Sequence, residues 1–169
     1  DCNAGRRTAL FSHNVLALGE AGVTFDALEA SGLQHVQTSI ASLITALPDR
    51  DCGVETRHLD RLLCAAADRM ADYHALLNQA TGAVATTPEL DRKRALFDAT
   101  GHVSLIDDES YFEPSWAAAF IGLGHRPRLA NALAATIPAD EAAAALANAA
   151  RSLRTAAERL PTHQTVLAH

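Results

Sequence analysis

Apolar residues recur along most of this chain at the three- and four-residue spacing of amphipathic helices. The clearest stripe runs from Leu59 to Leu77. Capping residues and helix breakers bound these stripes, since Thr87 and Pro88 suit a helix start and Gly101 suits a helix end. The pattern predicts five helices, at about 27–46, 57–79, 88–99, 115–123 and 138–160.

A different pattern precedes the first helix. Residues 14–18 form a short apolar run without helical rhythm, and Gly19 ends it. This run predicts a buried strand. Because a lone strand leaves its backbone groups unpaired, we expect its partners to lie outside this chain. We also expect exposed apolar surface around Phe11, Val15 and Leu16, where such partners would pack.

The composition supports a mainly α fold with that one N-terminal strand. The chain has 169 residues, which suffice for one domain or part of one, and its apolar positions are rich in alanine and poor in aromatic residues. The formal net charge is −6, with acids and bases interspersed. Nucleic-acid binding is therefore not expected, because it needs a basic surface.

The cysteines and the chain start bear on cellular context. Cys2, Cys52 and Cys64 are odd in number, and no apolar signal segment or long apolar span occurs in the sequence. This combination is typical of a reduced, cytoplasmic protein without a membrane association. The sequence opens at Asp1 without a methionine, which indicates a truncated chain.

Common catalytic and metal-binding motifs are missing from the sequence. It contains no GxGxxG, P-loop, HExxH, CxxC or GxSxG pattern. Cys52, His58, Cys64 and His74 have spacings that match no common ligand pattern, so no metal site is expected. The acidic run Asp107–Glu109 is more typical of a solvated turn or a helix cap than of a cation site.

The stretch from Gly5 to Gly32 carries the most specific information. It resembles the tryptophan-halogenase family, in which a Gly-Arg, an aromatic residue and an Asn precede a strand of the form N-x-V-A-I-G-x-A. A turn of the form G-F-x-E-P-L-E-S-T-G then leads into a helix. The match here has no gap, and its positions are Gly5, Arg6, Phe11, Asn14, Ala17, Gly19, Ala21, Leu28, Glu29, Ser31 and Gly32.

Two later blocks extend the resemblance over nearly the whole chain. Residues 112–127 are similar to the family's F-x-x-x-S-W-x-x-x-x-x-G-x-G-x-x-P. Residues 160–163 look like the family's closing M-P-x-H. Each block alone is compatible with ordinary core packing, whereas three blocks in the right order are far more specific.

The resemblance implies an enzyme activity for the family member as a whole. Reduced FAD, supplied by a flavin reductase, reacts with oxygen to a flavin hydroperoxide, which chloride or bromide attacks. The resulting hypohalous acid chlorinates or brominates tryptophan or another indole or aromatic substrate. This oxidoreductase is both a halogenase and a flavin monooxygenase.

The same resemblance assigns roles to the turn before the first helix. Ser31 and Gly32 match the family's Thr-Gly and are expected to offer backbone N–H donors to the halide, as helix starts commonly do for anions. Glu29 matches a glutamate that stabilises charge as halogen adds to the ring, so it is the catalytic candidate. From the sequence alone, Glu29 could equally be an acid that complements the helix dipole.

Further roles follow from matching positions. Gly19, Ala21 and Leu28 are expected to contact FAD, and Phe112 and Trp116 are expected on the substrate side. A core role for Trp116 is at least as well supported by its residue type and spacing.

The chain departs from the family pattern at several positions. Ala27 replaces a proline, Thr24 replaces a phenylalanine, Glu20 replaces an apolar residue, and Ala30-Ser31 replaces Ser-Thr. Leu77-Asn78 stands where the family has His-Tyr. These changes put activity on tryptophan itself in question and indicate a different substrate preference.

The expected organisation has two parts. Residues 1–25 would end the FAD-binding module, and residues 26–169 would form a helical region around the halide and the substrate. The FAD-binding part of the same chain is then a required partner, and this chain alone is expected to be inactive. The alternatives are a non-catalytic helical interaction module descended from a halogenase and, below it, a flavin hydroxylase.

Overall fold

The computed structural model describes residues 4–46, 53–82, 86–105, 109–129 and 134–167. Cys2, Cys52, Asp107 and Asp108, which the sequence analysis considered, lie outside these ranges. The chain forms two compact units, Asp1–Leu129 and Ala130–His169. The boundary predicted after residue 25 is a different kind of division, by function, and it stays a prediction.

The first unit begins with four short strands, β1 (Gly5–Arg6), β2 (Phe11–Ser12), β3 (Val15–Leu16) and β4 (Val23–Thr24). They form two antiparallel pairs, β1 with β4 and β2 with β3. A short 3-10 turn, Gly19–Ala21, precedes β4.

The prediction of a single strand at 14–18 is therefore wrong in two respects, the length of the strand and the position of its partner. Only Val15–Leu16 is extended in a ladder, and it pairs with Phe11–Ser12. His13 adopts a left-handed φ of 55°, which lets the chain turn back on itself within two residues. The strand therefore has a pairing partner within this chain.

Six α-helices follow in the described ranges, and the mainly α fold is confirmed. Their bounds are α1 Gly32–Thr45, α2 Gly53–Asn78, α3 Pro88–Thr100, α4 Glu113–Gly122, α5 Ala139–Arg159 and α6 His163–Leu167. The predicted cap of α3 is confirmed, because Thr87 Oγ1 accepts a hydrogen bond from the Leu90 N–H at 3.1 Å. Gly101, with a φ of 72°, ends that helix as predicted.

The first helix begins later than predicted, at residue 32 rather than 27. The reason lies at Ala30, which has a φ of 49° and so cannot continue a right-handed helix. Residues 27–31 form an irregular turn instead, and this turn carries three of the expected site residues, Leu28, Glu29 and Ser31.

Helix α2 anchors the first unit because both hydrophobic clusters use it. The Asp60 carboxylate accepts the backbone N–H groups of Leu10 and Phe11 at 2.7 and 2.8 Å, which fixes the β2–β3 hairpin on the helix. The first cluster comprises Leu10, Phe11, Val23, Leu59, Leu63, Cys64 and Ala67. The second comprises Tyr73, Leu76, Leu90, Phe97, Val103, Trp116 and Phe120.

The exposure expected around the hairpin is only partly found. Val15 is exposed and Leu16 is half-buried, whereas Phe11 is buried in the first cluster. Phe11 and Val15 belong to the two strands of one hairpin, and α2 covers only part of its surface.

The second unit contains α5 and α6. Leu146, Leu153 and Leu160 are exposed, in contrast to the leucines of the two clusters. Among the described residues, no helix is both long and apolar enough to cross a membrane.

Candidate functional site

The turn that joins β4 to α1 projects its side chains to the surface. Asp26, Ala27, Leu28, Glu29 and Ala30 are all exposed. Asp26 stabilises this turn, since its carboxylate accepts the Leu28 N–H at 3.1 Å and the side-chain amide of Asn78 at 3.0 Å. These two hydrogen bonds, the backbone one first, lower the pKa of Asp26.

The turn leads into α1, and the N–H groups of Ser31 and Gly32 have no hydrogen-bond partner among the residues that the structure describes. The His35 N–H donates to the Ser31 carbonyl at 2.9 Å, which is the first bond of the helix. The N–H groups of Ser31 and Gly32 lie in the first turn, where an α-helix offers no acceptor for them. Gly32 is exposed, and nothing lies within 4 Å of the position that a Cβ would occupy. The two predicted halide donors therefore stand at a helix start and not within a helix.

The Ser31 side chain points the other way and joins a buried polar cluster. Ser31 Oγ lies 2.6 Å from Tyr111 Oη and 2.9 Å from His74 Nε2, and the last two atoms are 3.2 Å apart. Ser31 and His74 are 2% and 3% exposed. We call these three residues the serine cluster. It ties the start of α1 to α2 and to the segment before α4.

Two buried histidines flank the ring of Phe25. His35 and His74 contact it edge-on, with ring centroids 5.4 and 5.6 Å away. Within the described part of the chain, His35 Nε2 and His74 Nδ1 have no hydrogen-bond partner. Burial lowers the pKa of both imidazoles, so both rings are neutral at pH 7.

Glu29 lies on the surface above this cluster. Its charge helps to raise the pKa of Tyr73 and of Tyr111, although burial is the larger cause for both. The same charge opposes the effect of burial on His74. Glu29 therefore lies within electrostatic range of a tyrosine pair and a histidine that sequence reasoning had not linked to it.

The three residues expected to contact FAD lie in the segment between β3 and α1. Gly19 begins the 3-10 turn with a φ of 56° and approaches Val36 of α1, whose Cγ2 would lie 3.5 Å from an added Cβ. Ala21 is exposed and its carbonyl accepts a hydrogen bond from Arg7 Nε at 2.5 Å. Leu28 is exposed on the Asp26–Ala30 turn. Their contact with a flavin stays a prediction.

The two residues expected on the substrate side, Phe112 and Trp116, differ sharply in solvent exposure. Phe112 is 71% exposed and follows Tyr111 of the serine cluster directly. Trp116 is 1% exposed, and its Nε1 donates to Glu109 at 3.0 Å. These surroundings are those of a core residue, which the sequence had allowed for. Trp116 contacts the ring of Tyr73 edge-on, and Tyr73 in turn stacks on Tyr111 of the serine cluster.

Sequence reasoning overlooked the polar members of this region. His35 and Ser39 lie four residues apart and are buried together on one face of α1, which is an unusual pair in an apolar stripe. His74 was weighed only as part of a metal pattern with Cys64 and His58. No group of three potential metal ligands converges within the described ranges.

A cleft of about 270 Å³ lies between the β1–β4 ladder and α2. His74 and Phe25 line it, together with Asp26 and Asn78. The alanines Ala67, Ala71 and Ala75, at four-residue spacing on α2, line it as well. The cleft thus shares Asp26 with the exposed turn and His74 with the serine cluster.

Known proteins resemble this chain closely enough to identify its family. Residues 1–139 match the family model described as tryptophan halogenase. Among curated protein sequences, none matches this chain.

Several solved structures share the fold. The flavin-dependent halogenase BrvH from Brevundimonas sp. BAL3 is 22% identical, with a TM-score of 0.81 over 98% of this chain and 36% of its own. The flavin-dependent halogenase Xcc4156 from Xanthomonas campestris is 22% identical, with a TM-score of 0.78 over 96% and 35%. The tryptophan 6-halogenase SttH from Streptomyces toxytricini is 19% identical, with a TM-score of 0.69 over 97% and 35%.

This chain spans about a third of the length of the solved structures that it matches. At these identities the structures establish a shared fold, and the family model, which covers most of the chain, establishes descent. The chain belongs to the tryptophan halogenase family.

Proposed function

We propose that this chain supplies the halide-binding turn of a reduced-FAD-dependent halogenase. The substrate would be tryptophan or another indole or aromatic molecule, and the halide chloride or bromide. One observation carries the proposal: the turn before α1 presents an exposed carboxylate, Glu29, two residues from a helix start with unpaired N–H donors.

The helix start suits a halide for electrostatic reasons. A helix N-terminus carries a partial positive charge and unpaired N–H groups, which together bind anions. Gly32 leaves this end open because it has no side chain. The left-handed Ala30 turns the chain there, and a non-glycine residue in that conformation costs about 1 kcal/mol or more. Strain of that kind is common at ligand sites, which supports the assignment.

The exposed turn could form one wall of a flavin site and no more. The sequence has no Gly-rich phosphate turn, so the phosphates and ribose of FAD would have to be held by another part of the protein. Gly19, Ala21 and Leu28 are the residues that would contact the flavin. Reduced FAD, when bound, supplies with oxygen the oxidation that makes a halide electrophilic.

Glu29 would act on the aromatic ring. When an electrophilic halogen adds to a ring carbon, the ring becomes positively charged and must then lose the proton on that carbon. A carboxylate nearby stabilises that charge and can accept the proton, which leaves the halogenated ring and the protonated acid. Being exposed, Glu29 can return the proton to water.

Substrate preference would be set around this turn. Thr24 and Ala27 replace bulkier or stiffer residues of the family pattern, and Glu20 adds a charge. Phe112 presents a large exposed aromatic face next to Tyr111. A substrate other than free tryptophan is consistent with these changes, and an aromatic ring stacked on Phe112 would suit them.

The proposed partners are an FAD-binding part of the same protein, a flavin reductase and a small aromatic substrate in the cytoplasm.

The experiment that tests the proposal joins this chain to such an FAD-binding part and supplies FAD, a reductase, NADH and bromide. Halogenated indole or tryptophan, detected by mass spectrometry, is the expected product. The chain alone should be inactive and should bind FAD more weakly than about micromolar. Tight FAD binding by the chain alone, or no product from the joined protein with any aromatic tested, would contradict the proposal.

A further inference from the structure

The serine cluster lies directly beneath the helix start that the proposed function assigns to the halide. Ser31 belongs to both, because its backbone opens α1 while its hydroxyl contacts Tyr111 and His74. A change in the charge of His74 is therefore transmitted through one side chain to the halide donors.

The hydrogen bonds of the His74 ring change with its charge. A neutral imidazole carries one N–H and one bare nitrogen. In either tautomer, His74 leaves Nδ1 without a partner, while Nε2 faces the two hydroxyl groups. The protonated ring carries an N–H on both nitrogens, so Nε2 would donate toward Ser31 Oγ whichever neutral tautomer came before it, and the ring would add a positive charge under the first turn of α1.

The groups around His74 act in opposite directions. Burial among Phe25 and the tyrosines disfavours the charged ring, and it is the main reason that the pKa of His74 is lowered. Glu29 and Asp26, from the turn before α1, favour the charged ring. Tyr111 precedes α4 and donates or accepts a hydrogen bond without carrying charge at neutral pH. A bound anion would join the carboxylates and shift this balance.

We propose that His74 is a positioning residue for the halide site: through Ser31 it supports the first turn of α1, and when protonated it adds a positive charge beneath the bound halide. This inference rests on the proposed function. Halide binding and protonation of His74 then favour each other by the same factor, because linkage between two binding equilibria is reciprocal. Halide affinity should rise as the pH falls.

The test is an NMR titration of the histidines in this 169-residue chain. The pH is varied in sodium bromide and in sodium gluconate at equal ionic strength, so that the two samples differ in the anion alone. The titration midpoint of His74 should be higher in bromide by about 0.5–1 pH unit, the size expected for a charge several ångströms away. His58, which lies exposed on the same helix, provides the reference signal for general effects of the two salts.

The amide signal of Gly32 separates failure of this inference from failure of the proposed function. If bromide shifts the Gly32 amide but leaves the His74 midpoint unchanged, the halide site stands and the role of His74 is disproved. If neither signal responds to bromide, the proposed halide site is disproved, and the inference about His74 is disproved as well. Both responding together is the expected result.

A pair of variants tests the same coupling through affinity. Between pH 7.5 and 5.5, bromide affinity at the Gly32 amide should rise about threefold to tenfold in the natural chain. In His74→Gln, which keeps a hydrogen-bonding group but cannot take a charge in this range, that rise should vanish. His58→Gln is the matched control and should retain it. If His74→Gln retains the full rise, the inference is overturned, and if the variant fails to fold, the titration of the natural chain decides.

Discussion

Two buried polar clusters in the first unit make an instructive comparison. In one, Lys93 Nζ pairs with Glu109 Oε1 and donates to the Ser104 carbonyl at 2.9 Å. Trp116 Nε1 donates to Glu109 Oε2 at 3.0 Å, and Lys93 Nζ lies 4.5 Å from the centroid of the Trp116 ring. The side chains of Lys93 and Glu109 are 2% and 3% exposed. We call Lys93, Glu109 and Trp116 the lysine cluster.

The serine cluster is equally buried but less complete. Two hydroxyl groups and one imidazole nitrogen are paired, whereas His74 Nδ1 and the nearby His35 Nε2 find no partner within the described residues. The lysine cluster is surrounded by the second hydrophobic core, while the serine cluster lies under an exposed turn.

This difference in hydrogen-bond pairing suggests that the two clusters of buried polar groups serve different purposes. Buried polar groups are nearly always paired, and an exception deserves an explanation in terms of ligand, water or catalysis. In the lysine cluster each charged group has a partner of opposite charge or a hydrogen-bond partner, and the cluster holds α3 to the start of α4. An incompletely paired one beside an open helix start retains hydrogen-bonding capacity that a ligand or proton can use.

The largest expected effect on stability concerns the lysine cluster. Lys93→Met leaves the Glu109 carboxylate buried without its cation, which should lower the free energy of unfolding by about 3–5 kcal/mol. Urea denaturation followed by far-UV circular dichroism measures it. Arg92→Met is the matched control, because Arg92 pairs with Glu89 on the surface, where solvent screens the pair, and its loss should change the free energy of unfolding far less. Equal losses in the two variants would remove the distinction between the clusters.

A smaller, pH-dependent effect should come from the histidines of the site region. Burial lowers the pKa of His35 and His74 below the ordinary value of 6.5. The unfolded chain then binds more protons than the folded chain near and below pH 6.5, so folding is penalised as the pH falls. The contribution of these residues is complete above pH 6.5 and is lost as the pH falls through their folded pKa values.

Urea unfolding in steps from pH 7.5 to 5.5 measures this loss. His74→Gln should flatten the decline of the unfolding free energy, because one of the two responsible groups is gone. His58→Gln should leave the decline unchanged, since His58 is exposed on the same helix. An identical decline in the natural chain and in His74→Gln would mean that His74 does not resist protonation.

Local sequence signals predicted the helices well. The ends of α3 followed from Thr87, Pro88 and Gly101, each of which acts within a turn of its own position. The start of α1 was predicted five residues early. The cause is the left-handed conformation of Ala30, which an alanine rarely adopts and which the sequence therefore does not predict. The β2–β3 hairpin was missed for a related reason, since His13 is not a usual hairpin residue.

The serine cluster could not be predicted from local sequence patterns. Ser31, His74 and Tyr111 are separated by dozens of residues and come together only when α1, α2 and the segment before α4 pack. The family resemblance pointed to Ser31, and the buried histidine in the apolar stripe of α2 was a weak signal for His74. Only the packing of the three elements links them.

The measurement that tests the account most directly is the halogenation rate of Glu29→Gln in the protein joined to its FAD-binding part. Glutamine keeps the shape of the side chain and removes its charge, so kcat should fall roughly 10–1000-fold if Glu29 stabilises charge on the ring. The thermal midpoint should barely change, because Glu29 is exposed. Glu55→Gln, an exposed acid in the first turn of α2, is the control and should leave the rate unchanged. An unchanged rate in Glu29→Gln, with stability lowered by about 0.3–1 kcal/mol, would reduce Glu29 to a charge near a helix start and contradict the proposed site.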